Sequence, residues 1–218
     1  MGEYKIMNLE DASQYINALY ENRCVNKKKY VESTDLKKFG SIIDEDVSRM
    51  LQLIIQLTHP ENILEIGTSI GYSTVSMAHA IKDYNGKITT IESDEVVARQ
   101  AIKNFQERGL AEFIQVKIGD AEEIIPQIQE KFDIIFQDVG DKKLYPILLD
   151  DCLRILKPGG LLLAEDTLFP VMFKSKEHEE DFIKPIHKFN ENIANNPNLE
   201  STILSIGDGL TIAYKKER

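Results

Sequence analysis

The chain has 218 residues, 42% of them hydrophobic and 28% charged, with a formal net charge of −10. That length can bury a sizeable core, the balance of residues is that of a globular protein, and no apolar run approaches the roughly 20 residues of a membrane helix. The acidic excess opposes non-specific attraction to nucleic acid, while Cys24 and Cys152, with no CxxC or Cys/His spacing, read as reduced packing residues rather than a staple or a zinc site.

The opening stretch MGEYKIMNLED lacks a basic start followed by an apolar run, so no secretory leader is visible and a cytoplasmic location is expected. Residues 8–24 read as an amphipathic helix with Leu9, Ala12, Ile16 and Leu19 near one face. Lys27, Lys28, Lys29, Lys37 and Lys38 follow, either a local basic patch or a solvated face. A second helix is predicted over 44–58, capped by Asp44, with Val47, Met50, Leu51, Ile54 and Ile55 as its apolar stripe.

From residue 61 the pattern alternates. NILEIG, KITTIE, FIQVKI, FDIIFQD and GLLLAED read as buried strands, separated by helices starting near 71, 95, 121 and 144. Such alternation indicates a parallel sheet of right-handed βαβ units. Lys157-Pro158-Gly159-Gly160 is expected as a turn between helix and fifth strand. A helix near 178–196 and two strands, near 199–206 and 209–215, complete the chain, the last pair joined by a tight turn at Gly207-Asp208-Gly209.

The candidate site begins where the first strand gives way to a helix, at Leu64-Glu65-Ile66-Gly67-Thr68-Ser69-Ile70-Gly71-Tyr72-Ser73. Gly67 allows the backbone close to a ligand, and ligands of open α/β sheets lie beyond the carboxyl ends of the strands. Glu65 stands where a pyrophosphate-binding loop has glycine, and a carboxylate suits a cationic ligand better than an anionic one. Glu92 ends the second strand and is placed to accept ribose hydroxyls; Asp120 ends the third and is placed to accept an adenine amino group. Either could instead be a helix cap. His59, His79, His178 and His187 show no ligand-like spacing.

These stretches, LEIGTSIGYST at 64–74, ITTIESD at 88–94, GDA at 119–121, FDIIFQD at 132–138, LKPGGLLLAEDTLF at 156–169 and IGDGLTIAYK at 206–215, resemble the cation-dependent O-methyltransferases, which include the catechol and caffeoyl-CoA enzymes. The resemblance implies a Rossmann-like class I methyltransferase, with a seven-stranded, mostly parallel α/β sheet, an antiparallel C-terminal hairpin and helices on both faces. It implies one domain over 1–218, with a helical extension at 1–43 and the core at 44–218. S-adenosylmethionine is then expected at Ile43, Glu65, Gly67, Thr68, Ser69, Ser73, Glu92, Ser93, Asp120, Ala121 and Asp138. A divalent cation, Mg²⁺, Ca²⁺ or Mn²⁺, is expected at Asp138, Glu165 and Asp166, with Lys142 as the catalytic base. The implied partners are a small-molecule acceptor with neighbouring hydroxyls and a second copy of the chain in a homodimer, with no membrane.

The chemistry gives these residues a reason. Methyl transfer from a sulfonium is an in-line displacement, so the acceptor oxygen must lose its proton, and a cation chelated by neighbouring hydroxyls both acidifies and orients them. Hard oxygen ligands suit Mg²⁺, Ca²⁺ or Mn²⁺ rather than zinc. Two departures from the family pattern leave alternatives open. The loop Asp138-Val139-Gly140-Asp141-Lys142-Lys143-Leu144-Tyr145 carries one extra residue, so Lys142 serves as base only if the loop bulges; Lys143 is the fallback, and two surface lysines the other outcome. Glu165-Asp166 replaces an Asp-Asn pair, so the trio either holds a cation or has another use, with Asp166 then a helix cap. Phe169, Pro170, Val171, Met172 and Phe173 could line an aromatic acceptor pocket, a dimer interface or the core. Two other functions remain open: methylation of a hydroxylated wobble uridine in tRNA, and cofactor binding with a degenerate acceptor site.

Overall fold

The computed structural model describes residues 9–20, 25–173 and 175–217. Helix α1 (Leu9–Tyr20) precedes α2 (Lys27–Glu32) and α3 (Glu45–Thr58). Cys24 and the ends of the predicted first helix, at 8 and 21–24, lie outside the described residues. On the apolar face expected of that helix, Ile16 and Leu19 are exposed and Ala12 is half-buried; Arg49 of α3 reaches it, Nη2 donating to Asn17 Oδ1 at 2.8 Å and the guanidinium lying over the Tyr20 ring. Asp44 precedes α3 without capping it. Its carboxylate is taken by Lys27 Nζ at 2.7 Å, and an ion pair competes well with a backbone N–H for the same oxygen.

The alternating region then builds β1 (Asn62–Ile66), α4 (Tyr72–Ile81), β2 (Lys87–Glu92), α5 (Glu95–Glu107), β3 (Ile114–Ile118), α6 (Ala121–Ile124), β4 (Phe132–Gln137), α7 (Leu144–Ile155) and β5 (Leu156–Ala164). After these come the short α8 (Phe169–Met172), α9 (Lys184–Ala194), β6 (Leu199–Leu204) and β7 (Leu210–Lys215). The sheet order is β3-β2-β1-β4-β5-β7-β6. The first five strands are parallel, while β7 pairs antiparallel with both β5 and β6. The fold is the seven-stranded, mostly parallel, Rossmann-like sheet expected.

Successive residues of a strand face opposite sides, and the two sides carry two cores. Ile63, Ile88, Ile134 and Phe136 pack with α3, α4 and α5. Leu64, Ile66, Ile135 and Leu162 pack with α7 and α9 through Leu148, Cys152, Ile186 and Phe189. Strands apolar on both faces are what a parallel sheet covered by helices requires.

Three expected boundaries shift. Lys157-Pro158-Gly159-Gly160 belongs to β5 rather than to a turn before it: Phe132 faces Leu156, but Ile134 already faces Leu161, so the segment bulges out of the ladder. Proline donates nothing to a ladder, and Gly159 sits at φ +79°, so pairing continues around them. The C-terminal hairpin turn spans 205–209 rather than Gly207-Asp208-Gly209 alone, since Leu204 pairs with Leu210. Its extra residues are held by other bonds, Leu168 N donating to the Asp208 carbonyl at 2.9 Å and Thr167 N to that of Gly209 at 3.1 Å. The helix expected from 178 begins as a 3₁₀ turn and a π turn over 176–183 and becomes α-helical only at Lys184, followed by Pro185, whose missing N–H suits a first turn.

Candidate active site

Strand-to-helix turns at the carboxyl ends of β1, β2, β3 and β4 surround a cleft of about 460 Å³. After β1, β3 and β4 the hydrogen bonding continues into the turn: Gly67 N to the Ile91 carbonyl (3.0 Å), Gly119 N to that of Glu92 (2.9 Å) and Asp138 N to that of Ile66 (2.9 Å). The sheet itself therefore fixes the rim. Gly67 is at φ +98°, and a Cβ there would lie 2.0 Å from the Asp138 carbonyl oxygen, so only glycine lets the two turns touch.

Of the residues expected at the cofactor, Gly67, Ser69, Glu92, Ser93, Asp120, Ala121 and Asp138 line this cleft. Glu92 accepts from Ser69 N at 2.8 Å and Asp94 N at 3.0 Å, ordering the rim with oxygen lone pairs to spare. The capping alternatives fall away. Asp94, not Glu92, caps α5, accepting from Val96 N and Val97 N, and the exposed Asp120 precedes α6 without a side-chain cap.

Ile43, Glu65, Thr68 and Ser73 do not line the cleft. Ile43 packs into the core on the α3 side. Glu65 is fully buried beneath the turn, taking hydrogen bonds from Ser73 Oγ (2.6 Å), Thr74 Oγ1 (2.5 Å) and Thr90 Oγ1 (2.6 Å), with Thr68 hydrogen-bonded in turn to Thr90. Burial pushes its carboxyl up to about 7, against the pull of those hydroxyls. Glu65 therefore supports the loop from below.

One wall of the cleft carries Asp138 and Lys142, and beside it the ends of β4 and β5 meet. Asp138 leaves β4, Glu165 and Asp166 leave β5, and one carboxylate oxygen from each lies within 4.8 Å of the others. Asp166 adopts φ +64°, a left-handed conformation that aspartate tolerates better than most residues; it caps no helix. Glu165 Oε1 accepts from Asp208 N at 3.1 Å in the β6–β7 turn. Burial, together with the neighbouring carboxylates, raises the carboxyls of Glu165 and Asp138 well above the usual range. Burial also raises the Tyr145 phenol. Three hard oxygen donors this close, repelling one another when ionised, fit a divalent cation.

In the turn between β4 and α7, Lys142 faces inward, only 4% exposed, and bonds Asp166 and the Val139 carbonyl oxygen (2.5 Å). Lys143 turns outward and pairs with Asp181 at 2.6 Å. Tyr145 seals the wall from behind, its hydroxyl donating to the Glu165 carbonyl at 3.0 Å. Phe169 is buried beside Lys142, whereas Val171 and Met172 are exposed.

Sequence reasoning missed Lys38, Phe39, Gly40 and Ser41, which line the cleft from the segment before α3. Gly40 was the one signal, and no periodicity marks such a stretch. It also missed the part played by Tyr30, whose hydroxyl reaches from α2 to the Ile70 carbonyl at 2.9 Å, and it read Gly207-Asp208-Gly209 as a turn alone. Among the described residues no helix is long and apolar enough to cross a membrane.

A family model described as O-methyltransferase matches residues 14–216. A catechol O-methyltransferase of Niastella koreensis is 34% identical over 183 residues, covering 80% of this chain and 82% of its own. A caffeoyl-CoA O-methyltransferase of Populus kitakamiensis is 27% identical, covering 96% and 95%. Among solved structures, an O-methyltransferase from Bacillus cereus in complex with SAH superposes with a TM-score of 0.76 at 25% identity, covering 93% of this chain and 97% of that one.

Proposed function

The chain belongs to the O-methyltransferase family, and we propose that it moves the methyl group of S-adenosylmethionine to a hydroxyl of a small molecule bearing two neighbouring hydroxyls, with a divalent cation held by Asp138, Glu165 and Asp166. The observation that carries this reading is continuity: one cleft runs from Glu92 and Asp120 to Asp138 and Lys142, and Asp166 and Glu165 stand beside its end.

Glu92 would accept the ribose hydroxyls and Asp120 the adenine amino group, while the negative charge of Asp138 would favour the cofactor's cationic end. A bound cation would supply acidification and orientation of the acceptor's hydroxyls. Lys142, which lines the cleft and reaches Asp166, would take the acceptor's proton as a neutral amine, after its ammonium has given up a proton of its own. Tyr145 and Phe169, buried against it, exclude water from that proton transfer.

A small acceptor is favoured over RNA by the net charge of −10, and Lys27, the first of the lysine run, is already bonded to Asp44 and to the Ile42 carbonyl oxygen. Methyl-labelled S-adenosylmethionine incubated with catechol, with Mg²⁺ or with EDTA, tests the proposal, with tRNA carrying hydroxylated wobble uridine assayed in parallel. Label is expected on catechol with Mg²⁺ and not with EDTA. Transfer indifferent to EDTA removes the cation, and transfer only to tRNA overturns the acceptor.

A further inference from the structure

Lys142 lines the cleft with its ammonium already engaged. Its ammonium is buried, bonded to the Asp166 carboxylate and the Val139 carbonyl oxygen, and flanked by the rings of Tyr145, 5.2 Å away, and Phe169, 5.4 Å away. An ammonium has three donors; two are used, and aromatic faces cover the remainder and favour the positive charge. The same Asp166 belongs to the carboxylate trio. An ammonium and a divalent ion drawn to one buried carboxylate would repel each other at close range with little water between them.

We propose that Lys142 is the resident counter-ion of the trio, and that a divalent cation binds by displacing its ammonium from Asp166 toward the cleft. Cation binding and release of the lysine are then one exchange. The lysine is the partner that moves: it has a flexible four-carbon stem and already lines the cleft, whereas Asp166 is fixed by its left-handed backbone and by the turn from Asp166 to Phe169, whose N donates to the Asp166 carbonyl at 3.2 Å. The consequence is an order of events, in which the base reaches the acceptor's side only after the cation site is filled. This inference rests on the cation reading above.

Mn²⁺ titration of the full chain by calorimetry, without acceptor, tests it. Lys142→Met removes the competitor and leaves the carboxylates uncompensated, so the variant is expected to bind Mn²⁺ about tenfold tighter than the wild type, or more. Equal or weaker binding overturns the exchange while leaving the cation reading intact; absence of binding to both proteins overturns both. A second measurement needs no variant: acylation of wild-type Lys142 by acetic anhydride, followed by peptide mass spectrometry, is expected to rise at least about fivefold on Mn²⁺ saturation, as for a side chain moved from a buried pair to an open cleft. Unchanged labelling overturns the exchange.

Discussion

The two ends of the cleft are built on opposite principles. At the β1–β3 end each polar side chain is set by its own strand terminus: Glu92 and Asp120 follow directly from where β2 and β3 stop, and their bonds are to nearby backbone or to solvent. At the β4–β5 end the charged groups meet across the chain. Asp138, Lys142, Glu165, Asp166 and the Asp208 amide come from three separated segments and satisfy one another in near-dry surroundings. Charges near water can be arranged singly, because solvent screens what is unpaired. Buried charges come as a set or not at all, because removing one strands the rest.

That contrast can be broken by substitution. The largest effect is expected for Lys142→Met, which should lower turnover about 10²–10⁴-fold, the range for loss of a general base. Its S-adenosylmethionine affinity, measured by calorimetry, should fall far less than turnover, because Glu92 keeps its partners at Ser69 and Asp94; a loss of cofactor binding as large as the loss of turnover would mean the two ends are not separate.

A smaller effect concerns Glu65, the buried charge at the otherwise exposed end. Its carboxyl is pushed from the ordinary 4.5 up to about 7 by burial. The stability associated with its protonated form is therefore fully present below pH 4.5 and lost as pH rises through about 7. Glu65→Gln should flatten the ligand-free stability profile across that window by about 3 kcal/mol, read from urea midpoints at each pH. An unchanged profile would show that the three hydroxyls fully compensate the buried charge. The smallest effect is expected for Lys143→Ala, which removes only an exposed pair with Asp181 and should leave turnover and melting temperature unchanged. A large drop in turnover would return the base to Lys143.

Much of the fold was legible because its signals are local. The apolar runs of β1, β2 and β4 and the stripe on α3 each lie within a few consecutive residues, and Glu92 and Asp120 could be placed by counting from strand ends. Where local signals competed, the reading shifted: Lys157-Pro158-Gly159-Gly160 has the composition of a turn, yet β4 pairs with Leu156 before it and Leu161 after it, so the strand runs on through a bulge. The apolar residues of α1 have helical spacing, but spacing alone cannot say whether a partner surface exists.

The sequence by itself determined a βαβ sheet ending in an antiparallel pair, the positions of Glu92 and Asp120 at its rim, and the presence of an acidic trio with two candidate lysines. Only the tertiary structure decided that Lys142 points inward and Lys143 outward, that Glu65 lies beneath the loop rather than in the cleft, and that the β6–β7 turn closes on Glu165. The reason is physical. Strand and helix periods are encoded over a few neighbouring residues, whereas the direction of Lys142 is set by the Asp166 carboxylate and the Phe169 ring, which reach it from a distant part of the chain.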